Sequence, residues 1–366
     1  MSAKPSARVL VACGSGGVGK TTVSAALALK AALAGQRVAV LTIDPARRLA
    51  DSLGVAELSN APRPVPIGGV SSTTGSLDAV MLDAKATFDG MVRECAATPD
   101  RAERILANHY YQVASTRLGG SHEYMAMIRL LELVDSGRYD LVVLDTPPTR
   151  HALEFLTSPD RLAAVMDEGV LRWLMLPGNR SGWRALELGS EAVAKVLRRL
   201  VGYGTIGEIA EFFELSRDLA DAITSRSARV RALLGGDTTR FYLVTSPAPA
   251  AREEALFFLG VLSERALPFG GFVVNRVVLP PAHSLDAAAL PAEGPLPPER
   301  WAALMAGVAR APLLRRQLAE AHARSIGALR AAGPATAPVW RVPDQDRDLH
   351  TLSGLAALAP HLPELG

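Results

Sequence analysis

Cysteine is nearly absent from this chain: Cys13 and Cys95 are the only two among 366 residues. They form no C-x-x-C pair, so a cysteine zinc site within one chain is excluded, and so is a disulfide framework. Cys13 reads as a small core residue at the end of a strand. That usage fits a reducing compartment, and the chain is expected to be cytoplasmic. Lysine is scarce as well, limited to Lys4, Lys20, Lys30, Lys85 and Lys195, with arginine supplying the other positive charges. The formal net charge is only +2, which by itself predicts no affinity for nucleic acid or for a membrane surface. Long apolar runs are also missing. Hydrophobic residues make up 49%, enough for a sizeable core, yet no uninterrupted stretch approaches membrane-spanning length. The chain is expected to be soluble, and its early entry into a first strand leaves no room for a secretory signal.

Glycine, by contrast, is concentrated where it carries information. Residues 14–21 read Gly-Ser-Gly-Gly-Val-Gly-Lys-Thr and fit G-x-x-x-x-G-K-[ST], the phosphate-cradling loop of nucleotide triphosphatases. An apolar run over 9–13 leads into it, and an alanine-rich helical run over 22–34 follows. Gly14, Gly16, Gly17 and Gly19 permit backbone angles that side chains would forbid. The main-chain amides of such a loop, with those of Ser15, Val18 and Thr22 and the following helix N-terminus, cup phosphate oxygens. Lys20 is placed to reach the β- and γ-phosphates and the Thr21 hydroxyl to bind Mg²⁺. The cofactors this predicts are ATP and Mg²⁺.

Short Val/Leu/Ile runs alternate with helical stretches, the pattern of a doubly wound, mostly parallel α/β sheet. The runs over 9–13, 37–43, 79–82, 141–144, 241–245, 271–274 and 339–342 are the expected strands. Residues 87–137 and 160–235 lack strand signals and carry Leu, Ala, Met and Glu at helical spacing. They are expected to form an inserted all-helical subdomain, leaving 1–86, 138–159 and 236–366 as the ATPase core. The Pro- and Ala-rich residues 280–298 read as a mobile loop.

Two carboxylates end strands: Asp44 in Thr-Ile-Asp-Pro-Ala and Asp145 in Leu-Asp-Thr-Pro-Pro-Thr. In a doubly wound sheet the ligand site lies at the carboxyl ends of the strands, so both should face the loop's crevice. One would orient or deprotonate the attacking water, and the other would support Mg²⁺ through its water shell. Each could instead serve only as a helix cap.

These segments together resemble the arsenite-pump ATPase (ArsA) family, which includes the ATPase that targets tail-anchored membrane proteins. The resemblance is carried by residues 15–22, by Asp44 to Asp51, by Asp145 to Leu153, by Val244-Thr-Ser-Pro247, by Arg252-Glu-Glu254, by residues 273–277 and by Val342-Pro343. It implies a P-loop core of the MinD/ParA type and an ATP-hydrolysing dimer whose helical lobes move with the nucleotide. In that pattern Asp44 activates water, Asp145 lies near Mg²⁺, Asn275 reads the adenine edge and Pro343 belongs to the loop covering the base. The chain also departs from the pattern. Ser15 stands where the family usually carries a second lysine that crosses the dimer, Arg47 replaces a histidine, and Ala248 replaces an acid. A serine supplies no charge to the transition state. Either hydrolysis is slow, or another basic group substitutes, or the chain pairs with a lysine-bearing paralogue.

The family's cargo sites suggest either metalloid or apolar helices. Cys95 alone makes no three-thiolate metalloid site. Met91, Met125, Met127, Met166 and Met175, the apolar run over 170–176 and Phe212-Phe213 could line a groove for a hydrophobic or tail-anchored client, or pack the lobe's own core. Membrane contact is then expected only through a partner. Two further readings are a weakly hydrolysing regulatory subunit and a positioning or partitioning ATPase. The second is disfavoured because residues 348–365 form no basic amphipathic helix.

Overall fold

The computed structural model describes residues 8–44, 48–69, 75–117, 121–147, 217–281, 290–345, 349 and 351–364. Eight strands form one sheet: β1 (Arg8–Cys13), β2 (Arg37–Thr42), β3 (Arg63–Pro64), β4 (Ser76–Met81), β5 (Leu141–Asp145), β6 (Thr239–Thr245), β7 (Phe269–Val277) and β8 (Val339–Pro343). Their order across the sheet is β3-β4-β2-β5-β1-β6-β7-β8. Every pairing is parallel except the short edge strand β3 against β4. All seven expected strands are present. The added one, β3, contains Pro64, and its two residues carry no periodic signal.

Strand alternation divides the core in two. From β1, β2 and β5, Val9, Val11, Ala39, Leu41, Val142 and Leu144 face one layer. Leu10, Val38, Val40, Leu141 and Val143 face the other. Burial on both faces is why these strands read as unbroken aliphatic runs.

The second layer is built on α1 (Lys20–Leu33), whose Ala25, Ala26, Ala28, Ala31 and Ala32 are all buried. Small side chains let this helix approach the sheet closely, and α2 (Arg48–Leu53) and α10 (Leu352–Ala357) pack beside it. Lys30 ties its last turn to the chain end by donating to the Leu362 carbonyl and to Glu364.

The first layer contains α3 (Ala84–Cys95), α4 (Pro99–Ala107), α5 (His109–Arg117), α6 (Ser121–Asp135) and α7 (Arg217–Gly235). Asp83 caps α3 by accepting from the Ala86 amide, and Thr98 caps α4 ahead of Pro99 at its first position. Met91, Met125 and Met127 are fully buried in this core. For these three the structure shows packing, as their helical spacing allowed. Met166, Met175, the run over 170–176 and Phe212-Phe213 lie outside the described residues, as do Pro45 to Arg47 and Pro148 to Leu153 of the two strand-end motifs.

Helices α8 (Pro249–Glu264) and α9 (Pro298–Ala332) complete the described α-helices. The 35-residue α9, with Pro312 inside it, has no counterpart among the sequence expectations. It braces the loop after β7: His322 Nδ1 accepts from the Val278 amide at 3.0 Å, and Arg315 donates to the Leu279 carbonyl at 3.1 Å. Burial holds the His322 imidazole below its ordinary pKa, which favours the neutral ring that this acceptor role needs.

Candidate active site

The loop between β1 and α1 turns through left-handed backbone at Gly17 and Gly19, with φ of 78° and 88°. At Gly19 the left-handed φ strains any residue with a Cβ, and a Cβ there would also displace the Asn275 side-chain amide. At Gly14 a Cβ would strike the Val244 carbonyl of β6. The loop is therefore wedged between two neighbouring strands, in a backbone pattern that gathers amides into an anion cup. Gly16 and Gly17 are exposed at its tip, and Val18 is buried beneath.

Lys20, only 8% exposed, bends back to donate from Nζ to the Ser15 carbonyl at 2.7 Å. Burial lowers its pKa, and the charges of Asp145, Asp44 and Glu254 oppose that shift. The lysine thus lies within the electrostatic influence of three carboxylates. The Ser15 hydroxyl is buried and has no hydrogen-bond partner. An orphaned donor inside an anion cup is a specific fit for phosphate oxygens, since leaving it unmade is costly.

Register fixes the other half of the site. Asp145, at the carboxyl end of β5, sits directly between Ala12 of β1 and Thr42 of β2. It accepts hydrogen bonds from the hydroxyls of Thr21 at 2.8 Å, Thr42 at 3.1 Å and Ser24 at 3.4 Å. Burial pushes its pKa up to about 6, against the Thr21 and Thr42 hydrogen bonds and the Lys20 charge, and Asp44 adds a small further push upward. A hydroxyl already held by a carboxylate is well placed to ligate a hard cation through its oxygen lone pair. The donor set of Thr21 plus a carboxylate behind it suits Mg²⁺, which keeps most of its own waters.

Asp44 lies two residues past β2, where its amide donates to the Thr42 hydroxyl at 3.3 Å. Its carboxylate forms an ion pair with Arg48 at 3.4 Å. The Thr42 hydroxyl therefore bridges the Asp44 amide and the Asp145 carboxylate. Neither Thr42 nor Ser24 was singled out from sequence. The available signals were the hydroxyl two residues before Asp44 and the one a helical turn after Thr21. Thr22, half-buried, follows on the first turn of α1.

Asn275, in β7, donates from Nδ2 to the Val18 carbonyl at 2.9 Å and accepts from the Arg276 amide. Arg276 holds a left-handed φ of 57°, a strained setting for a non-glycine residue at a site edge. Pro343 ends β8 opposite Val277, and the Asp344 amide donates to the Val277 carbonyl. Hydrogen bonds thus connect Thr21, Asp145, Thr42 and the Asp44 main chain, Lys20 feels the charges of both acids, and Asn275 rests against the loop.

The family model for anion-transporting ATPases matches residues 7–287. The chain belongs to that family. Several of its relatives are named as ATPases. It is 28% identical over 299 residues to ATPase ARSA1 of Chlamydomonas reinhardtii, covering 75% of this chain and 35% of the relative. It is 24% identical over 280 residues to ATPase ASNA1 homolog 2 of Paramecium tetraurelia, covering 75% and 78%. It is 33% identical over 149 residues to ATPase GET3 of Malassezia globosa, covering 41% of each. The chain thus spans about a third of the length of the first relative.

Proposed function

We infer that this family member hydrolyses ATP and uses the cycle as a conformational switch. The observation that carries the reading is the Thr21–Asp145 hydrogen bond behind a glycine loop whose lysine is buried and whose Ser15 hydroxyl lacks a partner. In this reading Lys20 leaves the Ser15 carbonyl for the β- and γ-phosphate oxygens, and the loop amides hold the phosphate chain. Asp44 positions the attacking water and accepts its proton. Mg²⁺, when bound, neutralises charge on the phosphate oxygens. Thr21 offers its oxygen to the ion while Asp145, steadied by Thr42 and Ser24, holds that hydroxyl in place. Asn275 and Pro343 frame the base.

The remaining family traits are part of the same proposal: a dimer, formed with itself or with a paralogue, a helical lobe drawn from residues 87–137 and 160–235, a cytoplasmic location, and a hydrophobic or tail-anchored membrane-protein client. Among the described residues no helix is long and apolar enough to cross a membrane. Ser15 favours one second reading, a weakly hydrolysing regulatory subunit, because a hydroxyl carries no charge into a partner's site.

Turnover of the purified chain separates the two. Appreciable Mg²⁺-dependent hydrolysis that falls at least 1,000-fold in Lys20→Ala and in Asp44→Asn, on the order of loss seen when catalytic groups are removed, supports the enzyme. Tight ATP binding without turnover supports the regulatory subunit. Sedimentation with ADP, ATP and a transition-state mimic tests the dimer. Recovery of membrane-protein segments with the ATP-bound form tests the client.

A further inference from the structure

Asp145, Asp44 and Glu254 all act on Lys20, the one cation the loop provides. Ser15 beside it is neutral. As the terminal phosphoryl group transfers, negative charge builds on its oxygens, and preorganised cations there contribute most to the rate.

A second cation stands at the rim. Arg48 opens α2, one turn beyond Asp44, and its Nη1 lies 3.4 Å from Asp44 Oδ2. The Arg48 side chain is 69% exposed while that of Asp44 is 27% exposed, so the guanidinium approaches from solvent and the carboxylate faces inward. An exposed pair of this kind contributes little to stability and can be exchanged readily. A planar guanidinium also matches phosphate oxygens in a two-pronged way that an ammonium cannot.

We propose that Arg48 is a catalytic residue of the same chain, leaving Asp44 for the terminal phosphate and supplying the positive charge that Ser15 does not. This rests on the ATPase reading above. In the nucleotide-free site Arg48 rests on Asp44. With ATP bound the guanidinium donates to γ-phosphate oxygens, and the Asp44 carboxylate turns to the water. The water oxygen forms a new P–O bond as the bond to the ADP oxygen breaks, the leaving oxygen keeping that electron pair. The water proton passes to Asp44 and then to solvent, and the products are ADP and phosphate.

The experiment compares wild type, Arg48→Ala, Arg48→Lys and, as a control, Arg37→Ala at the far end of β2. It measures kcat and KM together with equilibrium binding of ADP and of ADP–aluminium fluoride, both with Mg²⁺. Arg48→Ala is expected to lower kcat about 100-fold, the usual loss of one charge-stabilising donor, with KM changed less than about threefold. Its affinity for ADP stays the same, while its affinity for the transition-state mimic falls by a similar factor of about 100. Arg48→Lys recovers part of the loss, and Arg37→Ala behaves as wild type. Unchanged or faster turnover in Arg48→Ala would show that Arg48 only restrains Asp44 and would overturn the proposal. Equal loss for ADP and for the mimic overturns it too, since the contact would then belong to the ground state. A wild type without turnover overturns both this and the ATPase reading, whereas turnover that survives Arg48→Ala overturns this alone. Nucleotide-free melting points, with Arg48→Gln as a second variant, identify any loss that comes from misfolding instead.

Discussion

Asp145 makes a sharp energetic statement, because it is 1% exposed and its pKa is pushed up to about 6. Burial is the largest cause, only partly offset by the Thr21 and Thr42 hydroxyls and Lys20. An ordinary aspartate ionises near 3.8. A folded-state pKa above the unfolded one means that this group's stabilising contribution is fully present below pH 3.8. It is lost as the pH rises through 6. A gap of about two pKa units at about 1.4 kcal/mol each puts the cost at neutral pH near ~3 kcal/mol. Asp145→Asn keeps the shape and removes the charge, but it turns an NH₂ group toward one of the three hydroxyls. The net gain at pH 7.5 should therefore be about 1–2 kcal/mol. With an unfolding entropy of about 2.1 cal/mol/K per residue, that raises the melting midpoint by roughly 1–3 °C. The assay is thermal unfolding of the nucleotide-free protein in chelator from pH 5 to 8. Asp145→Asn should melt above wild type at pH 7.5, and the gap should close toward pH 5. Mg²⁺ with nucleotide should reverse the order by stabilising wild type alone. A variant less stable than wild type at pH 7.5, or a gap that ignores pH, would refute the reasoning.

Gly19→Ala places a methyl group against the Asn275 amide at a φ of 88°, so it should cost about 1–3 kcal/mol of stability and abolish tight nucleotide binding, read by calorimetry. Asn275→Ala removes the hydrogen bond to the Val18 carbonyl, worth about 1 kcal/mol, and should raise the KM for ATP about fivefold with the fold intact by circular dichroism. Burial raises the pKa of the Cys13 thiol to about 12, so its reactive thiolate is scarce at pH 8. A maleimide at that pH should label native protein once, slowly, at the partly buried Cys95, and reach Cys13 only in denaturant.

The parallel sheet was legible because β1, β2 and β5 are buried on both faces and must be aliphatic throughout, a pattern that needs no knowledge of neighbours. The phosphate loop was legible because its demands are local: left-handed turns at Gly17 and Gly19, a lysine and a hydroxyl at fixed offsets. Other features could not be read this way. Nothing in the vicinity of Thr42 or Ser24 marks them as partners of Asp145, more than a hundred residues away. The register of β2 on β5 and the pitch of α1 bring them there. The three methionines in α3 and α6 illustrate the same limit. Helical spacing fits a groove and a core equally, and only burial against the sheet layer identifies Met91, Met125 and Met127 as core. Helix α9 is hard to read from sequence because Pro312 ordinarily argues against a helix and most of its length lacks a dominant apolar face, so no strong period marks it.

By itself the sequence determined the chemistry available to this protein: which residues could turn the loop, bind phosphate and carry charge. Side-chain type and short spacing are enough for that. The tertiary structure decided which of those groups meet. Strand order sets Asp145 between β1 and β2 and turns Asn275 onto the loop. Contacts between residues far apart in the chain follow from pairing and packing, which no local stretch of sequence encodes.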